Sequence, residues 1–330
     1  MRLLKCMVGV AVAATLTLPA SAQSVRWDMA NEYSDKTPHA DGDRMFERLV
    51  EERSGGEIDI TLHFGASLGF RSKDQLDAVA EGAVPLANTL AGPLAGVHPI
   101  FQLSGLPFIA QTFDEARALH EAGRATYENV LADHNQTLLW ASPWSSTAIW
   151  SNGALQSMSD LKGVKVRTYD ELGTIALNEM GMLAVQLSWA DVVPQLSTGA
   201  LDAVLTSIEA GNGAQFHELL SHYNAINFGA PVSIVTVNND ALAGLSEQQR
   251  QIVFEAAAEV EDYLWSIVDE RSAANVQVAR DNGVVVIEDF PEDMQAAMRA
   301  AGEVATNSWL SRMGENGAKI LAAYRAQTGG

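Results

Sequence analysis

The chain has a single cysteine, Cys6, and it lies inside an apolar leader. Once that leader is gone there is nothing to form a disulfide, a thiol nucleophile or a thiolate metal site, so the fold must rest on its core alone. Long apolar runs are missing too. The one candidate, Cys6 to Leu18, is too short to span a bilayer. Arg2 and Lys5 precede it and Ala20-Ser21-Ala22 follows, the layout of an export signal cleaved after Ala22. The mature protein is therefore expected in the periplasm. Basic charge is scarce, with 21 Lys and Arg against 41 Asp and Glu for a net of −20. Without Arg2 and Lys5 the balance becomes 19 against 41, or −22. Such a chain is soluble and is a poor partner for nucleic acid or anionic lipid.

Cofactor motifs are also lacking. Neither G-x-x-x-x-G-K-[ST] nor G-x-G-x-x-G occurs, which removes the usual grounds for a bound nucleotide, and no cofactor is expected. His217 and His222 of His217-Glu218-Leu219-Leu220-Ser221-His222 are five residues apart, about 140° around a helix. They would not grip one ion together, and the other histidines have no ligand spacing, so no metal is expected.

What the sequence does have is alternation of strand and helix patterns. Val25 to Ala30 reads as a strand leading to a polar corner, Asn31-Glu32-Tyr33, and Ala40 to Arg53 as a helix ended by Gly55-Gly56. Ile58, Ile60, Leu62 and Phe64 alternate with polar residues, and after the Gly65 to Gly69 turn a helix runs from Ser72 to Glu81. This order predicts an α/β fold with parallel pairing. Gln75-Leu76-Asp77-Ala78-Val79-Ala80-Glu81-Gly82-Ala83-Val84 is echoed at Pro194 to Val204, as two similar lobes would leave behind. Chain length after the leader also favours two lobes. The expected division is 1–22 signal peptide, 23–144 plus 231–271 lobe I, and 145–230 plus 272–330 lobe II. The chain crosses near Trp144 and returns at Ser233 to Val237. Ser246-Glu247-Gln248-Gln249 is a capping box, and no Gly or Pro interrupts until Gly283. At 1.5 Å per residue that helix is roughly 55 Å long, against a lobe diameter of about 40 Å, so it should back both lobes.

In Leu161-Lys162-Gly163-Val164-Lys165-Val166-Arg167-Thr168 the valines alternate with Lys165 and Arg167. Arg167 then ends a short strand at a strand-to-helix corner, where open α/β sheets place ligands; a solvated surface arginine is the plain alternative. Gly65-Ala66-Ser67-Leu68-Gly69 matches the G-x-S-x-G nucleophile elbow, which would make Ser67 the nucleophile of an exported hydrolase. Only two strands precede it and no HGGG-type loop is present, so a structural turn competes with that reading. Trp140, Trp144, Trp150 and Trp189 suit either a cleft wall or core and hinge packing.

Taken together, the chain resembles the solute-binding proteins of tripartite ATP-independent periplasmic (TRAP) transporters, the DctP family. The marks are Ala66-Ser67-Leu68-Gly69, Leu106-Pro107-Phe108 before Phe113-Asp114-Glu115-Ala116, the segment Leu161 to Arg167, Trp189-Ala190-Asp191-Val192-Val193, and Thr198-Gly199-Ala200-Leu201-Asp202. The resemblance implies two lobes closing on a small organic acid, delivery to the small and large membrane subunits of a permease, and no enzymatic activity. It makes the turn at Ser67 structural and Arg167 a carboxylate clamp, with Trp189 as a pocket aromatic. Thr206 stands where many relatives that bind sugar acids have Asn, Leu90 near an acidic group and Thr147 near a second arginine. Asn31, Glu32, Tyr33, Asn88 and Thr89 are candidates by their strand-end positions. These departures favour a monocarboxylate with an apolar or aromatic body, packed by Trp189, Leu90 and Trp144. A monomer is expected. A binding module that senses its ligand for a signalling receptor would share the same lobe closure.

Overall fold

The computed structural model describes residues 25–329; the leader, with Cys6 and the cleavage position after Ala22, lies outside them. The first four strands are β1 (Val25–Asn31), β2 (Ile58–His63), β3 (Leu86–Leu90) and β4 (Gln136–Pro143). Next come β5 (Thr147–Ser151), β6 (Lys165–Thr168), β7 (Leu183–Gln186), β8 (Ala203–Ser207) and β9 (His222–Asn224). The last two are β10 (Val232–Asn238) and β11 (Val285–Ile287). They form two sheets, ordered β2-β1-β3-β10-β4 and β11-β9-β5-β8-β6-β7. β1 is parallel to β2 and β3, as the alternation of strand and helix requires, while β10 runs antiparallel to β3 and β4. In the second sheet β6 is parallel to β7 and β8. The result is a two-lobe α/β fold.

Local chemistry sets the element ends. The helix Pro38–Ser54 has Pro38 in its first turn, a Thr37 hydroxyl accepting from Ala40 N, and Gly55 in the left-handed region at its end. The helix Ser72–Ala80 has no cap of its own. Glu32, from the end of β1, supplies one by accepting from Ser72 N at 2.8 Å.

The chain crosses between the sheets at residues 144–146 and returns at 225–231. The run expected to be one long helix is two arms, Glu247–Ser266 and Val268–Asp281, meeting at Ile267 where φ is −104° and ψ −2°. Each arm packs on its own half of the molecule. The first packs on β4 and on Pro38–Ser54, the second on the helix Ile208–Gly213. The last helix, Glu292–Thr328, is broken at Gly314 and touches both sides, packing on Phe113–Asp133 and on Glu171–Glu179. Among the described residues no helix is long and apolar enough to cross a membrane.

Two buried acids lie where the halves meet. The Glu209 side chain, 0% exposed, accepts from Ser145 N at 3.0 Å in the crossing segment and from Arg271 Nε at 2.6 Å in the second helical arm. Arg271 also donates to Pro143 O at 2.7 Å. Asp170 caps the helix Glu171–Glu179 through Oδ1, accepting from Gly173 N at 2.8 Å. Its Oδ2 lies against the loops of the first lobe: a Cβ added to Gly92 or Gly105 would come within 3.1 or 2.9 Å of it, so the close approach there uses the lack of a side chain at both positions.

Arg271→Ala should strand the Glu209 carboxylate in the interior and cost about 3 to 5 kcal/mol, read as a lower urea midpoint. Burial pushes Asp170 from an ordinary 3.8 up to about 7, and Asp43 likewise to about 7. A raised acid contributes stability that is complete below the unfolded value and lost as pH climbs through the folded one. These two acids therefore contribute a fall in unfolding free energy between pH 4 and 7, set against the rise that buried His39 and His120 contribute below about pH 6.5 because burial lowers their folded values. The test is the difference between proteins: Asp170→Asn should make the slope over that window more positive than in the unaltered chain, and an unchanged slope would refute the assignment.

Candidate functional site

Arg167 is on β6, paired with Val185 of β7 and Val204 of β8. Strand alternation predicts one polar face, and Lys165 is exposed accordingly, yet both Val166 and Arg167 are buried, at 0% and 2% exposure. Its donors are only partly used. Nε donates to Leu187 O at 2.9 Å and Nη1 more weakly to Leu205 O at 3.5 Å. The Trp189 ring lies 5.6 Å from the guanidinium carbon. Among the described residues no carboxylate approaches Arg167 within 4.0 Å. Burial lowers its ordinary basicity while Tyr33, Glu32, Tyr169 and Asp170 pull it back up. An arginine remains charged under such a shift, so a buried cation stands here with donors to spare.

Arg167, Tyr33 and Tyr169 form a partition between two spaces. The inner one is also lined by Leu90, Trp144, Thr147 and Thr206 and has about 10 Å³, room for roughly one water. The outer one, about 290 Å³, adds Glu32, Arg71, Lys73, Gln186, Ser188, Trp189 and Asp191. That size is near the lower end for small-molecule sites, around 300 Å³, and suits a compact ligand. Tyr33 is centred between two indoles, 4.7 Å from Trp144 and 5.4 Å from Trp189. Trp144 is held in turn by stacking on His39 at 3.9 Å and by donating to Ser233 Oγ at 3.0 Å. Burial pushes the Tyr33 and Tyr169 phenols up, so both stay protonated.

Of the residues singled out in the sequence, Tyr33, Leu90, Trp144, Thr147, Arg167 and Thr206 converge on the inner space, and Glu32 and Trp189 join Tyr33 and Arg167 on the outer one. Thr147 spends its hydroxyl on Gly229 O at 3.1 Å. The structure places three others away from both spaces. Asn31 and Asn88 donate to the two oxygens of Asp43 at 2.8 and 2.7 Å, bracing β1 and β3 on the first helix. Thr89 is buried on β3 beside β10. Glu32 joins the lobes as well as lining the cleft, since besides Ser72 N it accepts from Ala190 N at 3.4 Å. Ser67 is exposed on its turn and lines neither space.

Sequence reasoning passed over Arg71 and Asp191, which join across the mouth of the cleft by two hydrogen bonds of 2.6 and 3.1 Å. They are 120 residues apart, and only the quoted Trp189-Ala190-Asp191 segment hinted at either. Tyr169, directly after Arg167's strand, was missed as well.

Comparison with known proteins agrees with this architecture. The model of bacterial extracellular solute-binding protein family 7, DctP, matches residues 29–312. The chain is 28% identical to the C4-dicarboxylate-binding periplasmic protein DctP of Rhodobacter capsulatus, over 99% of this chain and 98% of that one. A marine metagenome TRAP solute-binding protein specific for pyroglutamate superposes with a TM-score of 0.87 at 28% identity, covering 92% of this chain and 99% of the other. DctP7 of Bordetella pertussis, an extracytoplasmic receptor binding pyroglutamic acid, gives 0.88 at 25% identity, covering 92% and 100%. These are transport receptors and not enzymes, which leaves Ser67 no role as a nucleophile. The chain belongs to the bacterial extracellular solute-binding proteins of family 7, the DctP family of TRAP periplasmic receptors.

Proposed function

We propose that this receptor captures a small monocarboxylate with a compact, largely apolar or aromatic body and delivers it to the small and large membrane subunits of a TRAP permease. The observation that carries the reading is Arg167, a buried guanidinium with unused donors and no carboxylate partner among the described residues. With Nε turned to Leu187 O, the two terminal nitrogens retain free N–H groups, and a carboxylate can take them in parallel as a fork. The ligand body is held in the outer space against Tyr33 and Trp189, and it reaches Trp144, the apolar wall of Leu90 and the Thr206 hydroxyl where Tyr33 turns aside and joins the inner space to the outer one. The relatives that bind pyroglutamate, a five-membered lactam with one carboxylate, support a ligand of this size and charge. Mature receptor begins after cleavage at Ala22, acts as a monomer in the periplasm, and closes lobe I (23–144 with 231–271) on lobe II (145–230 with 272–330) about the segment that Glu209 and Arg271 hold.

Calorimetry with pyroglutamate, simple aliphatic and aromatic monocarboxylates, C4-dicarboxylates and sugar acids tests this. Monocarboxylates should bind most tightly, and preference for dicarboxylates or sugar acids would reject the proposal. Arg167→Ala should cost about 3 to 5 kcal/mol, at least about a hundredfold in affinity. Arg167→Lys should also fail substantially, because a point charge replaces the planar fork.

A further inference from the structure

The inner space has one cation, Arg167. A ligand with a second carboxylate would have to send it outward, where Arg71 and Lys73 line the same cavity as Arg167. Lys73 is exposed, a hydrated point charge worth little to a ligand. Arg71 is the better donor, a planar fork with about a third of its side chain exposed. Its fork is already taken: Nη1 donates to Asp191 Oδ2 at 2.6 Å and Nη2 to Asp191 Oδ1 at 3.1 Å. This is the geometry with which an arginine grips a ligand carboxylate, supplied here by the protein itself.

We infer that Asp191 is a specificity determinant: its carboxylate occupies Arg71 in the place a ligand's second carboxylate would use, and so restricts the cleft to acids carrying one. The inference rests on the monocarboxylate reading. Asp191 does this from the lobe opposite Arg71, so the pair forms as the cleft shuts and stays clear of the entering acid's own contact with Arg167. A dicarboxylate in the shut cleft would bring a second anion close to Asp191 and would have to displace it from a bidentate pair. That is exclusion by a like charge, the repulsive half of specificity.

Asp191→Asn keeps the shape and frees the guanidinium. Because it also weakens the bridge between the lobes, it lowers affinity for every ligand, and the informative quantity is the ratio of affinities for dicarboxylates and monocarboxylates of equal chain length. Calorimetry should compare succinate, glutarate and adipate with butanoate, pentanoate and hexanoate. We expect Asp191→Asn to move that ratio about tenfold or more toward the dicarboxylate for at least one length, about 1.4 kcal/mol. Adding Arg71→Gln should abolish the gain, and Asp191→Glu, which retains the charge, should leave the ratio near that of the unaltered protein. A ratio unmoved at every length, or a gain that survives loss of Arg71, overturns the inference alone. A native receptor that already prefers dicarboxylates overturns the monocarboxylate reading and this inference together.

Discussion

A guanidinium taken out of water without a counter-charge is the constraint around which the molecule is arranged. Desolvating an ion costs several kcal/mol even after relaxation, and two backbone carbonyls recover only part of that at Arg167. A fold meant only to be stable would replace this side chain with an apolar one or pair it. Here the nearby acids are committed elsewhere. Glu32 accepts from Ser72 N and Ala190 N, and Asp170 caps its own helix. The charge is thus left without a counter-charge from the described residues, which is what the proposed carboxylate contact would supply.

The rest of the architecture follows from bringing two sheets together over that charge. The hinge region is tied by buried Glu209 and Arg271, while the far side of the cleft is closed by Arg71 with Asp191 and by Glu32 with Ala190. The contrast in burial matters. The Arg271–Glu209 pair is 10% and 0% exposed, the Arg71–Asp191 pair 35% and 39%. A pair shut away from solvent gives a firm pivot, and a pair that water can reach opens at little cost. Glycines at 92 and 105 let the first lobe settle on Asp170 beside the site, so closure there depends on the absence of side chains as much as on contacts.

Much of this was legible in the sequence, for reasons that differ from residue to residue. Local periodicity gave β1, β2 and the helix between them, because their burial follows the strand or helix repeat. Arg167 was legible as a strand-end arginine; that it would be buried was not, since nothing local tells a solvated strand face from one covered by another lobe. The break at Ile267 escaped notice because no Gly or Pro marks it, and the helix turns to follow packing on a second sheet. Asn31 ends β1 as expected while Asn88 falls in the middle of β3, and both amides are consumed by Asp43, from a helix that sequence spacing could not bring between them. Arg71 and Asp191 are individually ordinary, and their pairing depends on the fold bringing together residues 120 apart in the chain.

The sign of the protein's charge poses a last question, how an anion is captured by a chain with a net of −20. Repulsion between exposed charges is screened beyond about 8 to 10 Å at physiological salt, so the acid meets the cleft's own charges and not the sum over the surface. Among the cations there, Lys73 is exposed, Arg71 is matched by Asp191 when the lobes meet, and Arg167 is buried. Long-range steering is therefore weak, and of these cations only the buried one has no counter-charge among the described residues. On the proposed reading, selectivity is set at short range, by what the cleft can satisfy without leaving a charge unpaired.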